Sequence, residues 1–103
     1  MEQTQNHASE LEVRHEERDG TGSFFVEQGG QRLAELHYSR SSPQTVVFEH
    51  TEVSRALQGR GVGRLLVEAA VAWARRTGTS VVPVCTYASS VFERYPGLRD
   101  VLR

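Results

Sequence analysis

Two periods divide the chain. Over residues 11–15 and 32–39 apolar residues recur at every second position, and over residues 62–76 they recur at every third or fourth. The first spacing is that of strands with one buried face, the second that of an amphipathic helix. Residues 11–15 alternate and predict a first strand. Residues 23–27, with Phe24, Phe25 and Val26, predict a second. Residues 32–39 predict a third, with Ala34, Leu36 and Tyr38 on one face and Leu33, Glu35 and His37 on the other. Residues 45–53 predict a fourth. The breaks between them have turn chemistry: a link of about five residues around Asp19-Gly20, the two-residue hairpin signal of Gly29-Gly30, and the interruption at Ser42-Pro43. Short links between successive strands imply an antiparallel meander.

The helical period runs over residues 62–76. It places Leu65, Leu66, Ala69, Ala70 and Trp73 toward the sheet, with Arg75 and Arg76 at the negative end of the helix and Gly78 as its stop. Residues 79–86 predict a fifth strand. Pro83 has no N–H to donate, so this strand should lack a partner on one side there. Residues 88–95 predict a short helix ended by Pro96-Gly97, after which Leu98, Val101 and Leu102 should dock on the body. Residues 1–9 are polar and aperiodic and read as a flexible tail, leaving one domain over residues 10–103.

The two periods meet at Gln58-Gly59-Arg60-Gly61-Val62-Gly63-Arg64. A strand, a glycine loop and then a helix form an arrangement suited to an anion. N–H groups of a first helical turn have no intrahelical acceptor, and glycines let backbone approach without a Cβ in the way. No Gly-Lys-Ser/Thr follows, so the loop is not a Walker A loop. The spacing is not that of a dinucleotide fold either. The bland alternative is a helix start with permissive glycines and no ligand.

Composition narrows the classes. With 103 residues and a formal charge of −1, the chain is a single domain without the basic footprint of a nucleic-acid binder. No apolar run is long enough for a membrane span or a signal peptide, and one cysteine allows neither an internal disulfide nor a cysteine-based metal site. These features point to a cytoplasmic protein that needs no metal. All 12 basic residues are arginine, so the chain has no side-chain amine of its own.

Gln58-x-x-Gly61-x-Gly63 after a strand resembles the acetyl-CoA pyrophosphate loop of the GNAT N-acetyltransferase superfamily. The order of elements resembles that fold as well. His50-Thr51-Glu52-Val53, the glycine loop, Pro83-Val84-Cys85-Thr86-Tyr87 and Tyr95-Pro96 resemble a small subfamily of single-domain GNAT-like proteins about this long. The resemblance implies a truncated α+β acyl-CoA N-acyltransferase fold. Its sheet would be mostly antiparallel, with splayed fourth and fifth strands and a helix after the glycine loop. It implies acetyl-CoA as co-substrate, with backbone groups of Thr51 and Val53 on the pantetheine arm. Gln58, Gly59, Arg60, Gly61, Val62, Gly63 and Arg64 would hold the pyrophosphate. The N–H of Val53 is the donor that the fold offers to the thioester carbonyl.

Two departures bear on chemistry. The helices that usually wall the acceptor site are missing between the first two strands. Phe92 also stands where many members place a tyrosine that protonates the leaving thiolate. Acetyl transfer to an amine needs a neutral amine and a donor to the developing oxyanion, and it gains from an acid at the thiolate. Cys85 reads as a proton donor, as a nucleophile that takes the acetyl group first, or as a small core residue. Tyr87 reads as a proton donor or as an amphipathic aromatic at a strand–helix junction. His50 and Glu52 share one side of the fourth strand, with Glu49 and Thr51 on the other, and a tight turn at Ser42-Pro43 would set Glu35 opposite His50. This is either a basic cluster or a solvated face. His15 and His37 read as surface residues, and four scattered histidines have no metal-ligand spacing. The leading expectation is an enzyme that moves acetyl from a coenzyme A thioester to an amine. The alternative is a non-catalytic acyl-CoA-binding or interaction module, and a nucleotide-phosphate binder ranks third.

Overall fold

Sheet pairing starts at Arg14. The computed structural model describes residues 11–103, so the tail over residues 1–9 and its boundary lie outside the described residues. Five strands follow one another across a single sheet in chain order: β1 (Arg14–Arg18), β2 (Thr21–Gln28), β3 (Gln31–Ser42), β4 (Thr45–Val53) and β5 (Ser80–Pro83). The first three pairings are antiparallel and the last, β4 with β5, is parallel. Both helices, α1 (Val62–Thr77) and α2 (Thr86–Arg94), belong to one core with the sheet face that carries Phe24, Val26, Leu36, Tyr38, Val46 and Phe48.

Several boundaries move for local reasons. Leu11 and Val13 pack against the core from outside the sheet, so β1 begins three residues later than its alternation suggests. The first turn is two residues rather than five: Asp19 and Gly20 take φ of 55° and 83°, and Thr21 and Gly22 already belong to β2. The Gly29-Gly30 hairpin is as expected, with φ of 59° and 77°. Helix α1 turns Val62, Leu66, Val67, Ala70, Val71, Trp73 and Ala74 into the core and leaves Leu65 and Ala69 partly buried at its margin. Strand β5 stops at Pro83, and α2 begins at Thr86 instead of position 88 because Cys85 caps it.

The β3–β4 register contains the decisive irregularity. Tyr38 faces Phe48, but the next pair is His37 with His50, so Glu49 is an extra residue, a β-bulge. Beyond it, Leu36 faces Thr51, Glu35 faces Glu52 and Ala34 faces Val53. The expectation of Glu35 opposite His50 is therefore corrected. So is the pairing of Glu49 with Thr51 on one face: Glu49 reaches His37 Nδ1 and accepts from the Ser39 hydroxyl, both at 3.0 Å, and both lie on the sheet face away from the helices.

β4 and β5 pair only from Thr45↔Ser80 to Phe48↔Pro83. The Phe48 carbonyl then accepts from the N–H groups of both Val84 (3.1 Å) and Cys85 (3.0 Å), and the two segments part. Among the described residues, no strand pairs with β4 beyond Phe48 on that side. Behind β5, Leu102 bridges to Val81 and the Arg103 N–H donates to the Val81 carbonyl at 3.0 Å, which docks the last residues as expected.

Candidate functional site

The gap between β4 and β5 runs into the glycine loop. Ser54 N–H donates to the Leu33 carbonyl on the β3 side at 2.7 Å. By strand alternation, the backbone groups of Val53 and Thr51 then face the gap. A short 3-10 helix, Arg55–Leu57, carries the chain from β4 to the loop; Ser54 caps it through its side chain, and Leu57 anchors it in the core. Gly59 and Gly61 take φ of 79° and 73°, the left-handed region where a Cβ is strained. Gly61 caps α1 without a side-chain hydrogen bond, and the first turn of α1 holds no acidic residue. Its N–H groups thus meet neither a side-chain cap nor a carboxylate, which is the condition an anion needs. A cleft of about 290 Å³ joins the gap to the loop, from Thr51 and Val53 past Gln58, Gly59 and Gly61 to Tyr87. This donor set and shape fit the pantetheine and pyrophosphate of a coenzyme A thioester.

Two loop side chains are occupied, and one glycine makes room for a ring, in ways the spacing alone does not reveal. The Gln58 amide donates back to the Val53 carbonyl at 3.1 Å, bracing the loop on β4. Arg64 points away from the loop: it donates to Glu68 (2.8 Å) and to the Tyr95 hydroxyl (3.0 Å), with its guanidinium 4.1 Å from the Tyr95 ring centre. Gly63 has an ordinary φ, and its lack of a Cβ serves a neighbour instead. A Cβ there would stand 2.6 Å from the tip of the Tyr87 ring. Tyr87 lies over the first turn of α1, and burial raises its hydroxyl pKa, with a smaller rise from Tyr95 and opposing pulls from Arg64 and Arg94.

Cys85 sits where β4 and β5 separate. It is 8% exposed; its Sγ accepts from the Ala88 N–H at 3.4 Å and lies 3.4 Å from the Thr51 hydroxyl across the gap. A cysteine as helix cap has no strong sequence signal, because Ser, Thr, Asn and Asp dominate that position. Phe92 is buried against Phe48, ring centres 6.4 Å apart, and offers no proton.

His50 and Glu52 lie on the opposite sheet face, 3.8 Å apart and mostly exposed, beside His37 and Glu35. The candidate set therefore splits: Thr51 and Tyr87 line the cleft with Cys85 against Thr51, and His50 and Glu52 belong to the open face. A second cavity of about 440 Å³, lined by Arg32, Leu33, Glu35, Glu52 and Val53, abuts the cleft at Val53. His15 and His37 are more engaged than surface residues. The His15 ring stacks on Phe24 at 4.1 Å, and His37 pairs with Glu49. Tyr38, with one proton, donates to Glu17 at 2.7 Å, so the His15 Nε2–H is the donor in its 2.8 Å contact with the Tyr38 oxygen. Burial lowers the His15 pKa against a smaller upward pull from Glu17.

The family model described as GCN5-related N-acetyl-transferase matches residues 23–101, which span β2 to the docked C-terminal turn. The chain belongs to this family of GCN5-related N-acetyltransferases. The solution structure of a GCN5-like candidate N-acetyltransferase from Staphylococcus aureus is similar over 92% of this chain and 90% of that one, at 28% identity and a TM-score of 0.69. The ribosomal-protein-S18-alanine N-acetyltransferase of Escherichia coli shares the fold at 17% identity and a TM-score of 0.62, over 76% of this chain and 53% of that one. An aminoglycoside N-acetyltransferase, AAC(6′)-Iy, in complex with CoA does so at 20% identity and a TM-score of 0.54, over 75% and 67%. No curated protein matches the chain significantly. The family assignment agrees with the expected superfamily and with a truncated α+β fold splayed at β4 and β5. Among the described residues no helix is long and apolar enough to cross a membrane, and no group of three or more His, Cys, Asp or Glu side chains is arranged to hold a metal.

Proposed function

We propose that the chain binds acetyl-CoA in the β4–β5 cleft and transfers the acetyl group to an amine that approaches over the open sheet face. One observation carries this reading: the uncapped N–H groups of the glycine loop and the unpaired edge of β4 line one continuous cleft. The CoA complex of a protein with the same fold supports it. The thioester supplies the activated acetyl group. Thr51 and Val53 offer backbone hydrogen bonds to the pantetheine arm, and Gly59, Arg60, Gly61, Val62, Gly63 and Arg64 surround the pyrophosphate site, with Gln58 bracing it.

The remaining chemistry falls to side chains of the two faces. Glu52 and His50 accept the amine proton, and the Val53 N–H faces the position of the carbonyl oxygen. With Phe92 inert, Tyr87 in the cleft wall and Cys85 beside Thr51 are the groups assigned to the leaving thiolate. Direct attack requires only a proton from one of them, and the cytoplasm is the compartment that holds the donor.

Thermal stabilisation by acetyl-CoA, coenzyme A and ATP, followed by thiol release with a panel of amines and protein N-termini, tests the proposal. We expect a shift with both coenzyme A species, none with ATP, and amine-dependent thiol release. Stabilisation by ATP alone would overturn the cofactor assignment. Binding without turnover on any amine would leave a non-catalytic acyl-CoA module, the reading that Phe92 favours.

A further inference from the structure

The 440 Å³ cavity that meets the cleft at Val53 does not end at β3. Glu35 also lines a further cavity of about 530 Å³, which reaches Glu16 and Arg18 on β1. The cleft and the two cavities are therefore joined in series, at Val53 and then at Glu35. From β4 to β1 this groove crosses three interstrand steps. That is about 14 Å, the length of about four residues of extended chain.

The groove is acidic. Arg18 stands 4.0 Å from Asp19, and Glu17 is bonded to Arg40. The charges that remain along it are the carboxylates of Glu16, Glu35 and Glu52 against one guanidinium, that of Arg32. Arg32 lies over the Phe25 ring, 3.6 Å from its centre, and reaches Glu35 and Glu16, both at 3.2 Å. Glu52, at the Val53 end, has His50 at 3.8 Å and a side chain that is 76% exposed. A cation is the complementary charge.

Two features select the form of that cation. The groove runs one way from Val53, because its lining stops at Ser54, where β4 gives way to the 3-10 helix. An amine placed at Val53 is then the end of its chain, and the rest of the molecule extends over β3 and β2 toward β1. Among the described residues, moreover, both helices pack on the other sheet face. A small amine would be touched from one side, whereas a polypeptide brings enough width to bury area on a flat face.

We propose that this face binds the N-terminal segment of a basic polypeptide, with its α-amine at the Glu52 end and about three further residues running toward Glu16. The inference rests on the acetyl-transfer reading above and names its acceptor. It gives Glu16 a role in acceptor affinity and none in the chemistry.

Fluorescence anisotropy of peptides labelled at the C-terminus reads binding without turnover, and thiol release with acetyl-CoA reads transfer. Alternating alanine–arginine peptides of two, four and eight residues, each with a free N-terminus, are compared with alanine–glutamate peptides of the same lengths. Affinity of the wild type should rise about tenfold from two residues to four and then level off. The acidic series should bind more weakly at every length. Glu16→Gln should weaken the four-residue peptide by up to about fivefold, as for an exposed ion pair, and leave the two-residue peptide unchanged. Affinity independent of length, or a preference for the acidic series, would overturn the groove assignment. So would equal transfer to an internal lysine of an N-terminally blocked peptide. Self-association of the chain that the peptides displace would overturn it as well, assigning the face to a second copy. Length-dependent binding without thiol release would overturn acetyl transfer and keep the docking face. The Glu16 side chain is 58% exposed, so the variant should fold; an unchanged melting temperature checks this.

Discussion

Two glycines of this chain have a tyrosine tip where a side chain would begin. At Gly22 a Cβ would meet the Tyr38 hydroxyl and the Glu16 carbonyl, each at 2.6 Å; at Gly63 it would meet only the tip of Tyr87. The outcomes should differ because the obstacles differ. Tyr38 is fully buried and the Glu16 carbonyl is backbone, so Gly22→Ala should cost about 1–3 kcal/mol in urea unfolding. Tyr87 is 39% exposed and can swing outward. Gly63→Ala should therefore leave stability within about 0.5 kcal/mol. It should return the Tyr87 hydroxyl toward its ordinary pKa, since burial is the main cause of the shift; phenolate absorbance against pH reads this directly.

At the scale of elements, the caps and the strand registers carry the predictions. Cys85 holds α2 by accepting from the Ala88 N–H, so Cys85→Ala should destabilise the fold by about 0.5–2 kcal/mol, and Cys85→Ser should restore most of it. Comparing thiol release by the two variants separates the cap from any part the thiol plays in transfer. β1 is pinned to β3 through a hub in which Glu17 accepts from Arg40 (2.6 Å) and from Tyr38, while His15 stacks on Phe24 and meets Trp73 edge to face. Hydrogen bonding to Arg40 depresses the Glu17 pKa, and burial depresses that of His15. Both groups release a proton more readily when folded, so the unfolded chain binds more protons and stability falls with acidification. The His15 share is complete above its ordinary 6.5 and is lost as pH drops through the lower folded value. The Glu17 share follows the same course below 4.5. Melting temperatures between pH 8 and pH 3 should show both declines, and His15→Gln should remove the upper one.

These elements also show what the bare sequence can reveal. Alternation in β3 was legible because helices cover one face only, so Ala34, Leu36 and Tyr38 had to be apolar while Glu35 and His37 did not. The helix stop at Gly78 and the Gly29-Gly30 hairpin were legible because each needs a positive φ. The bulge at Glu49 was not, since nothing in a nine-residue run of strand formers marks where one residue is skipped. The Cys85 cap and the turn of Arg64 toward Tyr95 were hidden for a related reason. Both depend on partners brought together by the fold, Arg64 and Tyr95 across 31 positions.

For the whole molecule, the absence of any described element over the second sheet face changes how a GCN5-related N-acetyltransferase can work. In the proposed reaction, donor and acceptor need not share an entrance. The proposed donor cleft runs from Thr51 and Val53 past the glycine loop to Tyr87, and the proposed acceptor face displays His50, Glu52 and Glu35. The double variant His50→Gln/Glu52→Gln should lower kcat/KM for the amine by about 10²- to 10⁴-fold, the usual contribution of general base catalysis. It should leave the affinity for coenzyme A unchanged, because neither side chain lines the donor cleft.

That two-sidedness is a matter of parity. On one side of Glu49, even-numbered residues of β4 point to the helices (Val46, Phe48); on the other side, odd-numbered ones do (Thr51, Val53). Pair Glu49 like its neighbours, with no residue skipped, and even-numbered residues would point to the helices along the whole strand. His50 and Glu52 would then turn inward against the core, and Thr51 would leave Cys85 for solvent. With Glu49 in place the strand can lose its bulge only by burying those charges, so a single skipped residue keeps the proposed donor and acceptor chemistry on opposite sides of a sheet one strand thick.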